Sequence, residues 1–145
     1  MHRKENGMTL VEIMTWIAVV MILTTISIPF IRKFRPNFEL DGSTRDLASD
    51  LRLAQQLSVA EQVVYYVDLA TSTRSYRLYK TGSSTPLKTY NLPPEITYDT
   101  ITGLSANRVS FNSYGGVSQS GSITIKNSSK SKVINIKPSG YVELR

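Results

Sequence analysis

The longest uninterrupted apolar stretch of the chain covers residues 8–28, close to the N-terminus. It contains 21 residues and a single charged side chain, Glu12. As an α-helix this stretch would be about 30 Å long, which matches the hydrocarbon core of a bilayer. The pattern therefore predicts a transmembrane helix. No small-x-small cleavage site follows the stretch, so an ordinary secretory signal peptide is the weaker interpretation.

A second helical pattern begins after Pro36 and predicts a helix over residues 43–61. Its apolar and small residues recur every three or four positions and form one stripe: Leu40, Thr44, Leu47, Leu51, Ala54 and Ser58. The charged residues of this part of the chain fall outside the stripe: Arg45, Asp46, Asp50 and Arg52. This arrangement is typical of an amphipathic helix that packs its apolar side against a sheet. Ser43 or Asp41 is expected to cap its first turn.

From residue 62 onward the pattern changes to the period of two that is typical of β-strands. Strands are predicted over residues 63–69, 75–79, 108–111, 122–125, 132–136 and 141–144. Glycine, proline and asparagine turn signals separate them, and residues 81–107 are predicted only as loop and short strands. One sheet face should be wet, because isoleucines alternate with polar residues. The fold class is therefore α+β, a long N-terminal helix packed on antiparallel sheet.

Composition excludes most catalytic chemistry. The chain has no cysteine, and its one histidine, His2, lies in the N-terminal tail, so disulfides, thiolate metal sites and histidine-based catalysis are not expected. The acidic residues of the β-rich part, Asp68, Glu95, Asp99 and Glu143, have no spacing that suggests a paired-acid site. We therefore predict that the protein is not an enzyme and has no catalytic residue, metal site or cofactor.

Glu12 is the residue that a plain membrane anchor leaves unexplained. Ionisable groups inside a membrane are costly and are usually paired and functional. No lysine or arginine occurs between Glu5 and Ile31. The cationic partner must therefore come from elsewhere, and a newly exposed α-amine at residue 8 would serve.

The N-terminus resembles the processing site of type IV prepilins and pseudopilins. The resemblance is carried by residues 7–13, Gly-Met-Thr-Leu-Val-Glu-Ile, behind a short basic leader. It implies that a prepilin peptidase cuts between Gly7 and Met8 on the cytoplasmic side and N-methylates Met8. It also implies that Glu12 pairs with the N-terminal amine of a neighbouring subunit during filament assembly. The family usually has phenylalanine where this chain has Met8.

The C-terminal third resembles the domain of H-type minor pseudopilins of type II secretion and of FimT/FimU minor pilins. Residues 109–111, the Gly115-Gly116 turn, residues 121–125 and residues 133–144 follow in the order that this family has. In that family a short hairpin ends in a glycine turn and a last strand. The resemblance implies a pilin-like domain at this end of the chain.

The two resemblances together predict a domain plan for the whole chain. It has a leader at 1–7, a transmembrane helix at 8–28, a helix continuation or linker at 29–42, and an extracytoplasmic pilin-like α+β domain at 43–145. The function implied is that of a minor pilin or pseudopilin that primes or caps a filament of a type IV pilus or type II secretion system. The partners implied are the prepilin peptidase, other pilins or pseudopilins, and the inner membrane.

Two alternatives remain open from the residues. One is a minor pilin that binds DNA in natural transformation through a basic cluster near the C-terminus. That cluster contains Lys126, Lys130, Lys132, Lys137 and Arg145. A basic cluster of this size is more often a solvated face, so nucleic acid is not the favoured partner. The other alternative is a plain single-pass membrane protein with a β-rich ectodomain.

Overall fold

The computed structural model describes residues 9–145, apart from the side chains of residues 26–34. Its first element is one helix of 52 residues, α1 (Leu10–Glu61). The chain divides into two compact units, residues 1–35 and Pro36–Arg145. Within the described residues, no helix combines the length and hydropathy needed to cross a membrane. Met8 and the side chains of residues 26–28, which belong to the predicted transmembrane segment, lie outside the described residues.

The second predicted helix does not begin at Ser43, because α1 continues through Pro29, Pro36 and Gly42. Ser43 is buried inside the helix and does not cap it. Packing explains the difference: Leu40 and Thr44 are both buried, one on either side of Gly42, so contacts with the sheets outweigh the poor helix propensity of glycine. The Thr44 hydroxyl donates to the Leu40 carbonyl at 2.6 Å, which satisfies it within the helix.

The predicted helix stripe is confirmed. Every member of it is at most 3% exposed: Leu40, Thr44, Leu47, Leu51, Ala54 and Ser58. Its four apolar members, Leu40, Leu47, Leu51 and Ala54, pack with strand side chains in one hydrophobic core. The stripe therefore fixes which side of α1 faces the sheets.

The β-rich part consists of two four-stranded antiparallel sheets. The strands are β1 (Tyr65–Ala70), β2 (Ser75–Lys80), β3 (Lys88–Asn91), β4 (Thr97–Thr102), β5 (Arg108–Phe111), β6 (Gly121–Lys126), β7 (Ser131–Ile136) and β8 (Val142–Leu144). Sheet A has the order β3-β2-β1-β5 and sheet B the order β4-β6-β7-β8. The six predicted strands are all present, and the short strands expected in residues 81–107 are β3 and β4. The α+β prediction is confirmed.

Each sheet turns one face to α1 and the other to solvent. In sheet B the buried side chains are Ile123, Ile125, Ile134, Ile136 and Val142. In β6 and β7 they alternate with polar residues such as Thr124 and Asn135, which confirms the predicted wet face. In sheet A, Tyr76 and Phe111 are among the largest fully buried side chains.

The glycine turn before the last strand is required by a close approach between two turns. Gly140 has φ +82°, and a Cβ atom there would overlap the carbonyl oxygen of Gly115. The Gln55 side-chain amide on α1 donates to the carbonyls of Gly115 at 2.8 Å and Ser139 at 3.3 Å. The helix thus holds both turns together, and only glycine fits at position 140.

Candidate functional site

The predicted cleavage and methylation site, Gly7 and Met8, lies outside the described residues. Glu12 lies in the first turn of α1, and its side chain is exposed. Its backbone N–H donates to the Thr9 hydroxyl at 3.3 Å and to the Thr9 carbonyl at 3.1 Å. Thr9 therefore caps the helix, and Thr9 with Glu12 has the spacing of a capping box. The sequence signal for this role was the T-x-x-E pattern, which our interpretation of Glu12 did not use.

The apolar side chains that follow Glu12 on α1 are exposed in the single chain. Leu10, Met14, Trp16 and Ile22 each have 59–77% of their surface open. An exposed apolar surface of this extent usually marks contact with a protein partner or a membrane. The segment therefore needs an apolar surrounding that the single chain does not supply.

The five basic residues proposed for nucleic-acid contact do not form one free patch. Lys126 forms an ion pair with Asp99, and this hydrogen bond is the main reason why the pKa of the Asp99 carboxyl is lowered. Lys137 pairs with Glu143 at 3.3 Å, with its ammonium also 5.3 Å from the ring centre of Tyr141. Carboxylates at these distances cancel much of the field that would attract phosphates.

The remaining three basic residues lie nearer to the helix. Lys132 is opposite Ile125 in the β6–β7 register, so its side chain is on the helix-facing side of sheet B. There it pairs with Asp41 of α1 at 3.2 Å. Lys130 and Arg145 are exposed. The cluster is thus divided between two faces of the sheet.

A buried polar centre that the sequence pattern did not predict links α1 to sheet A. The Asp50 side chain is only 5% exposed, and it accepts hydrogen bonds from Lys88 at 2.6 Å and from the Tyr76 hydroxyl at 2.7 Å. Burial, and then the bond to Asp50, raise the pKa of the Tyr76 hydroxyl far above its ordinary value. The tyrosine therefore remains a neutral donor to a carboxylate.

Asp50→Asn should destabilise the domain by about 2 kcal/mol, because it replaces a charge-assisted buried contact by a weaker one. Asp99→Asn is the matched control, since Asp99 pairs with Lys126 at the exposed surface, where water screens the attraction and an ion pair contributes little to stability. The urea midpoints of the two variants measure the difference. Equal shifts would mean that Asp50 has no special part in holding α1 to sheet A.

Sheet A also has an aromatic and basic cluster on its outer face. The rings of Tyr66 and Tyr79 stack with centroids 5.2 Å apart, and the Arg108 guanidinium lies 4.2 Å from the centre of the Tyr66 ring. Arg108 also donates two hydrogen bonds to Asp68, at 2.6 and 3.1 Å, and this hydrogen bonding raises the pKa of Arg108. Because the charged and aromatic groups of these residues are paired with one another, the cluster stabilises the outer surface of sheet A.

No catalytic or metal centre emerges from these contacts. Within residues 9–145, no group of three or more His, Cys, Asp or Glu residues is placed to hold a metal ion. The features of the described residues that suit a partner are surfaces instead: an exposed apolar helix segment and a charged domain.

Comparison with known proteins identifies relatives of this architecture. The family model described as "Type II transport protein GspH" matches residues 43–140, two-thirds of the chain. The type IV minor pilin FimU of Pseudomonas aeruginosa PAO1 superposes with a TM-score of 0.63 at 17% identity, over 77% of this chain and 92% of FimU. The minor pseudopilin EpsH of the Vibrio cholerae type 2 secretion system gives 0.63 at 16% identity, over 74% of this chain and 96% of EpsH. A search of curated proteins gives no match.

Proposed function

Because the chain belongs to the GspH family of type II transport proteins, we propose that it primes or caps a pilus-like or type II secretion filament. In this proposal it acts after a prepilin peptidase has cut between Gly7 and Met8. The single observation that carries the proposal is the family match over residues 43–140. It agrees with the fold of FimU and EpsH, one a minor pilin and the other a minor pseudopilin. The chain is accordingly a minor pilin or pseudopilin, a structural component and not an enzyme.

The proposed partners are the inner membrane, the helices of neighbouring filament subunits and the prepilin peptidase. The exposed apolar segment that begins at Leu10 suits the inner membrane before assembly and neighbouring helices in the filament afterwards. The domain that begins at Pro36 has its own core, so it can stay outside the membrane throughout. The other proposed partner is the prepilin peptidase, which also N-methylates Met8.

Processing is the first step to test. Co-expression of the chain with a prepilin peptidase should shorten it by seven residues. Gly7→Arg should block this loss, because a long charged side chain would clash where glycine lets the scissile bond enter a narrow active site. Intact-mass spectrometry of the membrane fraction measures the outcome.

His2→Arg is the matched control for this experiment, since it adds the same side chain to the leader, five residues before the proposed cut. It should be processed as the parent chain is. A parent chain that keeps its leader beside an active peptidase would contradict the proposal.

The DNA-binding alternative has less support. Lys126, Lys132 and Lys137 each have a carboxylate partner within 4 Å. Phosphate binding depends on releasing counter-ions from free cationic side chains, and paired lysines contribute less to it. We therefore keep the filament subunit as the proposed function and expect any DNA binding to be weak and salt-sensitive.

A further inference from the structure

A cleft opens beside β5, which is an outermost strand of sheet A. The segment after the Gly115-Gly116 turn first runs back along this strand, because the Ser118 N–H donates to the Ser110 carbonyl at 3.0 Å. The pairing then stops, since Gln119 bonds to Ser105 instead of to β5. The space left between the two segments has a volume of about 350 Å³, within the range of small-molecule sites, about 300–1,000 Å³. We call it the β5 cleft, and it is lined by Ser105, Ala106, Arg108, Ser110, Ser118 and Gln119.

The walls of the β5 cleft are fixed by short-range contacts. The Gln119 side-chain oxygen accepts from the Ser105 N–H at 2.7 Å, and its amide donates to the Ser105 hydroxyl at 2.8 Å. The chain then turns sharply through Ala106 and Asn107, which have φ +53° and +52°, and the Arg108 N–H donates to the Ser105 carbonyl. Residues other than glycine keep such a conformation only where their surroundings determine it. A ligand would therefore find these walls in place and would not have to order them.

The lining of the β5 cleft is rich in groups that form hydrogen bonds. Three of its six residues are serines, whose hydroxyls both donate and accept. Arg108 adds a guanidinium with five N–H donors, and its two hydrogen bonds to Asp68 use two of them. The Asp68 carboxylate also balances the Arg108 charge, so the lining residues carry no unpaired charge with which to attract an anion. These properties suit a neutral ligand with many hydroxyl groups.

Two tyrosines continue the site across the outer face of sheet A. Ser110 lies opposite Tyr66 in the β1–β5 register, and Tyr66 lies opposite Tyr79 in the β1–β2 register. The Arg108 guanidinium covers the Tyr66 ring from β5, and the Tyr79 ring covers it from β2, so the ring edge and hydroxyl of Tyr66 remain for a ligand. Neighbouring strands are about 4.8 Å apart, so this row extends the site by about 10 Å. A ligand of several linked rings would contact it along that length.

We propose that the β5 cleft binds a neutral oligosaccharide, with one sugar ring hydrogen-bonded to the serine hydroxyls and Arg108, and the next ring beside Tyr66 and Tyr79. Sugar hydroxyls match the serines as donors and acceptors, and the C–H groups of a sugar ring pack against aromatic side chains. A nucleic acid would need unpaired positive charge. An extended peptide would need an open strand edge, and Ser118 already occupies part of the edge of β5. The inference is independent of the proposed function, because it uses only residues of the domain that begins at Pro36.

Ligand-observed NMR on the full chain tests this site. The chain is kept in phosphocholine micelles, because its apolar helix segment needs an apolar surrounding and this detergent contains no sugar. Saturation transfer from the protein to cellotriose and to chitotriose is measured at increasing sugar concentration. We expect a saturable signal from at least one of the two. Chitotriose carries the acetamido groups of cell-wall glycan and cellotriose has only hydroxyls, so the tighter ligand distinguishes cell-wall glycan from a plain glucan as the source.

Two double variants with the same change of side chain complete the test. Ser110→Ala/Ser118→Ala should raise the dissociation constant about fivefold for each hydroxyl removed, because each substitution removes one hydrogen bond to the sugar. Ser84→Ala/Ser128→Ala, whose exposed serines lie in the β2–β3 and β6–β7 connections, should bind the sugar as the parent chain does. Both variants should keep the circular dichroism spectrum of the parent, since alanine is no larger than serine.

Three results would overturn the proposal. One is the absence of a saturable signal from both sugars in a folded chain. Another is a Ser110→Ala/Ser118→Ala variant that binds the sugar as tightly as the parent. The third is displacement of the sugar by inorganic phosphate, which would make the β5 cleft an anion site. None of these results bears on the proposed function, because processing and filament entry are measured separately.

Discussion

Leu51→Asp should unfold the domain that begins at Pro36. Leu51 has none of its surface exposed and lies in the middle of the helix stripe that faces the sheets. Removing a buried leucine side chain typically costs 2–5 kcal/mol, and an unpaired buried carboxylate costs several kcal/mol more. Together these costs reach the total stability of a typical domain, about 5–15 kcal/mol. The substitution therefore removes the folded state instead of merely weakening it.

The experiment uses the fragment of residues 36–145. Among the described residues, every buried apolar side chain lies at or after Leu40, so the deletion should leave a cooperatively folded α+β domain. Leu53→Asp is the matched control, because Leu53 is two residues further along the same helix and 37% exposed. Its effect should stay within about 1 kcal/mol.

Circular dichroism and thermal melting compare the three fragments. The parent and the Leu53 variant should melt cooperatively, and the Leu51 variant should have no melting transition. A parent fragment with the spectrum of a disordered chain would contradict the domain interpretation. A Leu51 variant that melts like the parent would contradict the assignment of the stripe to the core.

The stripe and the strands were predictable because both depend on periodicity. Leu47, Leu51 and Ala54 recur at helical spacing, and Ile123 and Ile125 at strand spacing, so burial on one side follows from geometry. Strands β3 and β4 were harder, since most of their residues are polar and at least partly exposed. Without an apolar alternation, the sequence has no signal of which face is inside.

The continuity of α1 and the role of Asp50 were not predictable for a different reason. Gly42 and Ser43 have local preferences for a helix end, but packing of Leu40 and Thr44 decides the structure there. Asp50 is buried because Lys88, 38 residues later in the sequence, reaches it from β3. Local pattern carries no information on contacts that far apart in the chain.

The largest functional effect is expected at Glu12, which lies next to the N-terminal cap of α1. The contact from the Glu12 N–H to the Thr9 hydroxyl is that of a helix cap. The proposed assembly role instead needs the negative charge, which would pair with the α-amine of a neighbouring subunit. In a low-dielectric surrounding the two charges attract strongly, while either charge alone is destabilised by the loss of its hydration. That asymmetry favours entry into a filament over free diffusion in the bilayer.

Glu12→Gln tests the charge alone, because glutamine also suits the third position of a capping box but carries no charge. Processing and membrane insertion should therefore be retained, whereas recovery of the subunit in sheared filaments should fall about tenfold or more, the equivalent of at least about 1.4 kcal/mol. Glu12→Asp, which keeps the charge, should recover part of the loss, and Glu12→Val should behave like Glu12→Gln. If the glutamine variant assembles as well as the parent, assembly does not depend on the charge of Glu12. A subunit at the extreme tip has no neighbour above it, so crosslinking to the subunit beneath distinguishes that position from a failure of the charge pair.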